Sequence, residues 1–285
     1  MHYATTLRSL FALTKPTIVL SFTLTGATAM VVEGTLLHTP LKFIGVLLAI
    51  LFTAASANSF NQYLERDLDA KMIRTAKKRP LPMGKIKPGL ALLFSILTGA
   101  VAVLYLVLFV NRLSAALALG TILFYILIYT LWLKPRTPYN IVIGGAAGAT
   151  APLIGWAAAT GDVSLLAWWM FLIVFIWTPP HFWALALNVK DQYAKAGIPM
   201  LPVVKGEERT RKEIWWYSVV MAALLYLPLF FGRFGTVYAV VTSVLNLLWL
   251  YLAWKVLTEY KAKVAYQFFG YSILYLMLLF VGMMV

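Results

Sequence analysis

Leu41-Lys-Phe-Ile-Gly-Val-Leu-Leu-Ala-Ile-Leu-Phe-Thr-Ala-Ala-Ser-Ala-Asn58-Ser-Phe-Asn61-Gln-Tyr-Leu-Glu65-Arg-Asp67-Leu-Asp69 is the stretch on which the reading of the whole chain turns. As far as Tyr63 it is an apolar segment with the roughly 20 residues a helix needs to cross a bilayer's hydrocarbon core. Directly beyond, it becomes rich in carboxylates. Eight further apolar segments of similar length can be drawn, so the spans are 17–36, 41–63, 90–110, 113–133, 139–159, 165–187, 214–231, 236–256 and 266–284. Of the 285 residues 62% are hydrophobic and 12% charged, against about 45–50% and 25% in soluble domains. A soluble protein of this size cannot hide so much apolar surface. The expectation is an all-α, polytopic membrane protein, a bundle of nine transmembrane helices. With no Cys, disulfides, thiol catalysis and thiolate metal sites are excluded.

The links between spans alternate in kind. Those after spans one, three, five and seven are short, whereas the loops at about 64–89 and 188–213 are long and polar. All the basic residues except Lys42, Arg112 and Arg233 fall on the side that holds the N-terminus and these two loops. The positive-inside rule then predicts a cytoplasmic N-terminus and an external C-terminus. The net charge of +14 would suggest nucleic acid in a soluble protein. Here it sits in membrane loops, so no nucleic-acid partner is expected and an anionic substrate is. Met1 to Lys15 is too short for a cleaved signal or transit peptide, and a bacterial or archaeal cytoplasmic membrane is the simplest location. Residues 1–285 read as one domain. The two long loops follow spans two and six, a spacing compatible with a quasi-duplicated helical bundle.

On a helix, Asn61, Glu65 and Asp69 recur at i, i+4 and i+8 and drift only about 40° per step, whereas Asp67 lies about 200° from Glu65. Like charges so placed repel unless a cation lies between them. Hard oxygen donors with no His or Cys beside them suit Mg²⁺, which binds through few carboxylates and substrate phosphates. The plainer alternative is a solvated helix end paired with Arg66, Lys71 and Arg74. Positive-inside topology accounts for the run Arg74, Lys77, Lys78, Arg79, Lys85 and Lys87 but not for acidic residues interleaved with it. A polyanion held through metal accounts for both signs.

Span six ends in Trp177-Thr-Pro-Pro-His181-Phe-Trp183, followed by Asn188-Val-Lys190-Asp191-Gln-Tyr193. Two consecutive prolines remove two backbone donors, which predicts a bent or unwound helix. Polar groups at such places in a membrane are functional candidates. Three roles stay open for His181: metal ligand, base, or hydrogen-bond partner of a freed carbonyl. Lys190, Asp191 and Tyr193, within one turn, complete a second polar element facing the first. Trp132, Trp168, Trp169, Trp215 and Trp216 lie near span ends, where interfacial belts enrich Trp, and are assigned no chemistry.

The pattern Asn61-x-x-x-Glu65-x-x-x-Asp69 resembles the first Asn/Asp-rich motif of the UbiA superfamily of intramembrane prenyltransferases, with Glu for the usual middle Asp. The longer string from Asn58 to Thr75 with Arg79-Pro-Leu-Pro82, Pro180-His181-Phe-Trp, Asp191-Gln-Tyr193 with Gly197-Ile-Pro-Met-Leu-Pro-Val, and Leu13-Thr-Lys15-Pro16 are closest to its heme-prenylating branch. These motifs cover about a fifth of the chain. The resemblance implies transfer of farnesyl from farnesyl diphosphate to a vinyl group of protoheme IX (heme B) with addition of water, giving heme O and diphosphate. Heme B is then a substrate and Mg²⁺ the cofactor. It implies that Asn61, Glu65 and Asp69, with Asp191, hold Mg²⁺–diphosphate, that Arg66, Arg74, Lys78, Arg79, Lys190 and Tyr193 contact diphosphate, and that His181 acts in catalysis as iron ligand, or in positioning water or a propionate partner. A downstream heme-modifying enzyme or an oxidase assembly factor is the partner protein such a product implies. Two departures stand out. The frame for the second family motif holds Val189 and Tyr193 with Asp191 between them. The stretch from Arg74 to Arg79 is one residue longer than the family spacing, leaving open which cation meets which phosphate. Two alternatives remain at this point: another UbiA-type enzyme acting on an aromatic or quinone precursor, and a transporter of an anionic lipid-like solute.

Overall fold

The computed structural model describes residues 2–259 and 261–285, with the backbone alone for 2–5. Nine helices among the described residues are long and apolar enough to cross a membrane. A short helix α1 (His2–Leu13) precedes the first of them. The spans are α2 (Pro16–Glu33), α3 (Pro40–Leu64), α6 (Pro88–Phe109), α7 (Arg112–Leu123) continued by a π-helix (Phe124–Leu133), α8 (Asn140–Ala149) with α9 (Ala151–Thr160), α10 (Leu165–Asn188), α13 (Gly206–Leu224) with α14 (Leu227–Phe230), α15 (Thr236–Thr258) and α16 (Ala262–Gly282). The loop after α3 carries α4 (Arg66–Lys71) and α5 (Ile73–Ala76), and the loop after α10 carries α11 (Lys190–Lys195) and α12 (Leu201–Val204). All nine predicted spans are present. The seventh differs most, because its helix begins at Gly206 rather than near 214. The apolar pattern marks only the membrane-buried part. The polar turns before it are held as helix by i,i+4 ion pairs, Lys212 to Glu208 at 2.6 Å and Arg209 to Glu213 at 2.5 Å.

Two buried clusters organise the bundle. Ile50, Ala55, Leu106, Ala118 and Ile154 tie α2, α3, α6, α7 and α9 together. Ile173, Trp249, Phe268 and Tyr275 belong to the cluster that joins α8, α10, α13, α15 and α16. Span five serves both because it divides at Thr150, just before Pro152. Where α9 crosses α2 the backbones nearly touch. A Cβ on Gly155 would lie 2.5 Å from the carbonyl oxygen of Gly26, so only glycine fits there. The outer face of α6 is bare, with Leu93, Leu97, Val101, Leu104 and Leu108 exposed as a lipid-facing surface requires. Trp132, Trp168 and Trp216 are exposed like belt residues, whereas Trp169 donates inward to the Leu224 carbonyl at 2.9 Å.

Of the bend or unwinding expected at Pro179 and Pro180, the unwinding does not occur, and α10 is helical from Leu165 to Asn188 with both prolines inside it. Prolines remove the donors that would have met the Phe175 and Ile176 carbonyls, but a helix packed on its neighbours in a membrane tolerates that loss. The long polar loops do meet at one end. The backbone N–H of Arg74 donates to Gln192 Oε1 at 3.0 Å, and Met72 packs with Ala186, Tyr193, Ile198 and Met200.

Candidate active site

The helix α3 closes at Glu65, and α4 starts at Arg66, so the stripe spans a joint rather than one straight helix. Its register survives the joint. The backbone N–H of Glu65 donates to the Asn61 carbonyl at 2.9 Å, and that of Asp69 donates to the Glu65 carbonyl at 2.7 Å, both four residues back. Asn61, Glu65 and Asp69 are therefore all buried on one face. The side chain of Asp67 is 87% exposed on the other, as helical geometry predicts.

Three cations close on this face. Lys134 Nζ lies 2.5 Å from Glu65 Oε1, Lys15 Nζ donates to Asn61 Oδ1 at 2.7 Å, and Arg79 Nη1 pairs with Asp69 while standing 3.7 Å from Glu65. Lys134 is delivered by the π-helix, whose i→i+5 bonding includes the Lys134 N–H to the Tyr129 carbonyl at 2.9 Å. That register also turns Tyr129 and Thr130 inward, and Thr130 Oγ1 accepts from Asn61 Nδ2 at 3.2 Å. Lys15 reaches Asn61 from a left-handed backbone, φ +55°, the one non-glycine residue of positive φ among those described. Such strain persists where the surroundings over-determine it.

Charge and burial pull these groups in opposite directions. Burial alone would push Glu65 up, but Lys134, Lys15 and Arg79 outweigh it and hold the carboxyl below its usual range. For Asp69 burial wins over Arg79, and repulsion from Glu65 adds to it, so its carboxyl is pushed up. Lys15 is half-buried beside these groups. Burial, then repulsion from Arg79, drives it well below an ordinary lysine despite Glu65 and Asp69. A site that destabilises its own lysine charge this way is poised for a ligand carrying more negative charge than two carboxylates supply.

Other residues singled out from the sequence divide. Tyr193 is buried, and burial pushes its phenol up although Arg74 hydrogen-bonds it. The Nε of Arg74 is buried with no hydrogen-bond partner. Both thus join the site. Asp191 does not: it is exposed, because on α11 it projects about 200° from Tyr193, and Tyr193 takes the inward position. Lys190 pairs with Glu207 at 2.5 Å rather than with the stripe. Arg66 lies 4.9 Å over the Tyr63 ring, donates to the Tyr63 carbonyl and stands 3.9 Å from Asp67, on the outward side of the joint. Lys78 is exposed. Lys15 and Lys134 are site residues that the sequence reading does not include. Each directly precedes a proline at the polar end of a span, and Lys15 lies in one of the resemblance motifs, but neither signal says which partner the ammonium meets. A cavity of about 250 Å³ opens beside the Glu65–Lys134 pair, lined also by Leu68, Thr130, Pro135 and Ile198.

His181 sits between two aromatic rings, Trp177 at 4.2 Å and Phe269 at 4.7 Å, both nearly parallel to it. Its Nδ1 is 2.5 Å from Ser272 Oγ, and that hydroxyl donates its proton to the Phe269 carbonyl at 2.6 Å. Ser272 must therefore accept, so Nδ1 carries the imidazole proton and the lone pair is on Nε2. No hydrogen-bond partner meets Nε2 among the described residues, and no freed helix carbonyl is its partner either. An imidazole anchored through Nδ1–H with Nε2 open is the arrangement of a metal-ligating histidine.

Among the described residues no cluster of three or more His, Cys, Asp or Glu side chains forms a ready-made metal cage. The donor set nonetheless fits a hard cation shared with a phosphate ligand. Glu65 Oε2 is buried without a hydrogen-bond partner, and Asp69 and Asn61 supply further oxygens on the same face.

The ring of Tyr129 lies directly on α8, where a Cβ on Gly144 would come within 2.1 Å of it. Gly144→Ala is expected to displace this ring and the π-helix behind it, lowering kcat/KM by about tenfold while costing about 1–3 kcal/mol of stability from overpacking. Kinetics with thermal melting in detergent check this. Unchanged kinetics would mean that the π-helix does not set the site.

A family model described as the UbiA prenyltransferase family matches residues 19–280. The chain is 43% identical, over a 286-residue alignment, to a protoheme IX farnesyltransferase of Gloeothece citriformis, covering 100% of this chain and 88% of that one. It is 46% identical over 278 residues to one of Rhizorhabdus wittichii, covering 96% and 91%. Among solved structures, a digeranylgeranylglyceryl phosphate synthase superposes with a TM-score of 0.79 at 19% identity, over 98% of this chain and 97% of that one. A UbiA homologue from Archaeoglobus fulgidus bound to GPP and Mg²⁺ superposes with 0.70 at 19%, over 97% and 100%. The likeness to these structures is one of fold.

Proposed function

The chain belongs to the UbiA prenyltransferase family, and from that premise we propose that it transfers the farnesyl group of farnesyl diphosphate to a vinyl group of heme B, with addition of water, giving heme O and diphosphate. The acceptor follows the relatives named protoheme IX farnesyltransferase, which align with nearly the whole chain. The observation that carries the chemistry is the buried face of Asn61, Glu65 and Asp69, met by Lys15, Arg79 and Lys134 at the polar end of an apolar bundle. In this reading the enzyme is a multi-pass protein of the cytoplasmic membrane with its N-terminus and site on the cytoplasmic side.

The reaction begins when the allylic C–O bond breaks and its electron pair leaves with diphosphate. Lys15, Arg79, Lys134 and Arg74 meet the charge that develops on the leaving oxygens, which accelerates ionisation most where water is excluded. Asn61, Glu65 and Asp69 would hold Mg²⁺, which would supply Lewis acidity that offsets the charge of the diphosphate. Tyr129, Thr130 and Tyr193 wall the site, and the apolar helices shield the allylic cation from bulk water. The vinyl carbon attacks that cation, forming the C–C bond, and water adds to the resulting heme-side cation with loss of a proton. His181, through Nε2, ligates the heme iron and fixes which edge of the acceptor faces the site. Purified protein in lipid, given farnesyl diphosphate with heme B or with an aromatic acid acceptor, tests the reading by mass spectrometry. Heme O from the first alone supports it, and prenylation of the aromatic acid alone overturns it.

Replacing His181 separates acceptor from donor. His181→Ala is expected to weaken heme binding by about tenfold or more and to shift the Soret band, leaving farnesyl diphosphate binding nearly unchanged. Spectral titration and a donor-binding assay check both. An unaltered heme spectrum and affinity would remove the ligand role.

A further inference from the structure

The bundle uses one side of α1 and leaves another bare. Leu10 and Leu13 pack against Leu81, Ile86 and Ala91, and Gln62 Nε2 donates to the carbonyls of Ala12 and Leu13 at 3.2 and 2.9 Å. α1 therefore lies across the polar end of the bundle, from the start of α2 past the end of α3 to the start of α6, instead of prolonging α2. On its opposite side, one helical turn apart, Leu7 and Phe11 are 68% and 64% exposed. The two spans that α1 adjoins expose apolar residues at the same end, Ile18 and Leu20 at the start of α2 and Leu90 and Leu93 at the start of α6. Beside it stand Arg8, Lys85 and Lys87, all exposed and without an ion pair among the described residues.

A helix with an apolar pair on one face, basic residues at its rim and a position at the edge of the hydrocarbon belt has the make-up of an in-plane membrane helix. Water would not favour Leu7 and Phe11, and the bundle offers them no partner. The unpaired cations choose the occupant, because the headgroup layer beside an apolar seat attracts Lys and Arg most when its lipids are anionic. We propose that α1 is an interfacial anchor. Its Leu7–Phe11 face is seated in the leaflet at the polar end of the bundle, and Arg8, Lys85 and Lys87 meet anionic lipid headgroups. The anchor leads through Thr14 to Lys15, whose left-handed backbone places its ammonium on Asn61, so the lipid surface and the stripe are joined through a single turn of chain.

The chain has no Cys, so single cysteines can be spin-labelled cleanly in the whole 285-residue chain. Phe11→Cys, Arg8→Cys and Lys77→Cys, with Ile18→Cys in the belt as a control for folding and insertion, would be placed in phosphatidylcholine vesicles with or without about a quarter of phosphatidylglycerol. Relaxation by oxygen, which concentrates in lipid, is compared with relaxation by a water-soluble nickel chelate. The expected result in anionic vesicles is a label at 11 that meets oxygen several-fold more than nickel. The label at 8 shows the reverse ratio, and the label at 11 becomes more nickel-accessible when the anionic lipid is omitted. A label at 11 as nickel-accessible as that at 77 overturns the anchor. One shielded from both reagents overturns it too, since a protein would then cover the face. Equal depth in both vesicle types overturns the anionic surface. None of these readings depends on prenyl transfer, so their failure is distinct from failure of the proposed reaction.

Discussion

Asp69→Asn is expected to lower kcat/KM for prenyl transfer by about a thousandfold, the loss that goes with removing a metal-holding carboxylate from a charge-stabilising site. Asp67→Asn, two residues away, should leave it within about twofold. The contrast is geometric. Asp69 is buried against Arg79, and Asp67 points into solvent. The protein should remain folded, because Arg79 in the Asp69 variant keeps Glu65 at 3.7 Å as a partner; size-exclusion and melting in detergent verify this. Activity should also vanish in excess chelator and return with Mg²⁺. Full turnover of Asp69→Asn, or of wild type in chelator, removes the metal role from this face. Greater damage from Asp67→Asn removes the stripe.

Lys134→Met is expected to cost about 10²–10³-fold in kcat/KM near neutral pH and to shift the acid limb of its pH profile upward. The sign follows from the balance at Glu65. Burial pushes this carboxyl up, and Lys134 is the largest of the opposing influences that hold it down. With the ammonium gone, the largest influence opposing burial is lost, so the carboxyl rises and Glu65 takes up a proton at a pH where the wild-type carboxyl is still ionised. A protonated Glu65 cannot serve as an anionic metal ligand, so activity fails at a pH that the wild type tolerates. Lys134→Arg keeps the charge and should keep the limb near its original position. Profiles of kcat/KM for the three proteins decide the matter, and superimposed acid limbs would show that Lys134 does not govern Glu65.

Properties that depend on one segment's own composition could be read from the sequence. The nine spans follow from apolar length, and the gathering of loops at one end follows from the partition of basic residues. The Asn61–Glu65–Asp69 face was legible even though the helix closes at Glu65, because the hydrogen bonds four residues back carry the register across the joint. What a segment's own composition does not record depends on neighbours. Pro179 and Pro180 predict a bent or unwound helix, and packing on adjacent helices keeps α10 wound through both. Asp191 attracted attention as a carboxylate, but the turn of α11 directs Tyr193 inward in its place. Arg66 and Lys190 are basic residues beside the motifs, and the structure gives each a partner outside the stripe, Tyr63 and Glu207. Lys15 and Lys134 escaped notice as site residues because each meets its partner across a long stretch of chain, 46 and 69 residues, and no local pattern records such a meeting.

The π-helix at Phe124–Leu133 makes the site unusually sensitive to helical register. A π turn is in effect an α-helix that has absorbed an extra residue, and it survives only while the bundle gains from the offset. Substitutions that let the segment relax into ordinary α-helix at unchanged length would leave its apolar character and its capacity to span intact. The end of the segment would then rotate by about 100°, carrying the ammonium that faces Glu65 away from it. Deleting one residue along with that relaxation would absorb the offset and bring the ammonium back. Hydrophobicity alone therefore does not protect this segment, and a loss of register here would separate membrane insertion, which would persist, from chemistry, which would not.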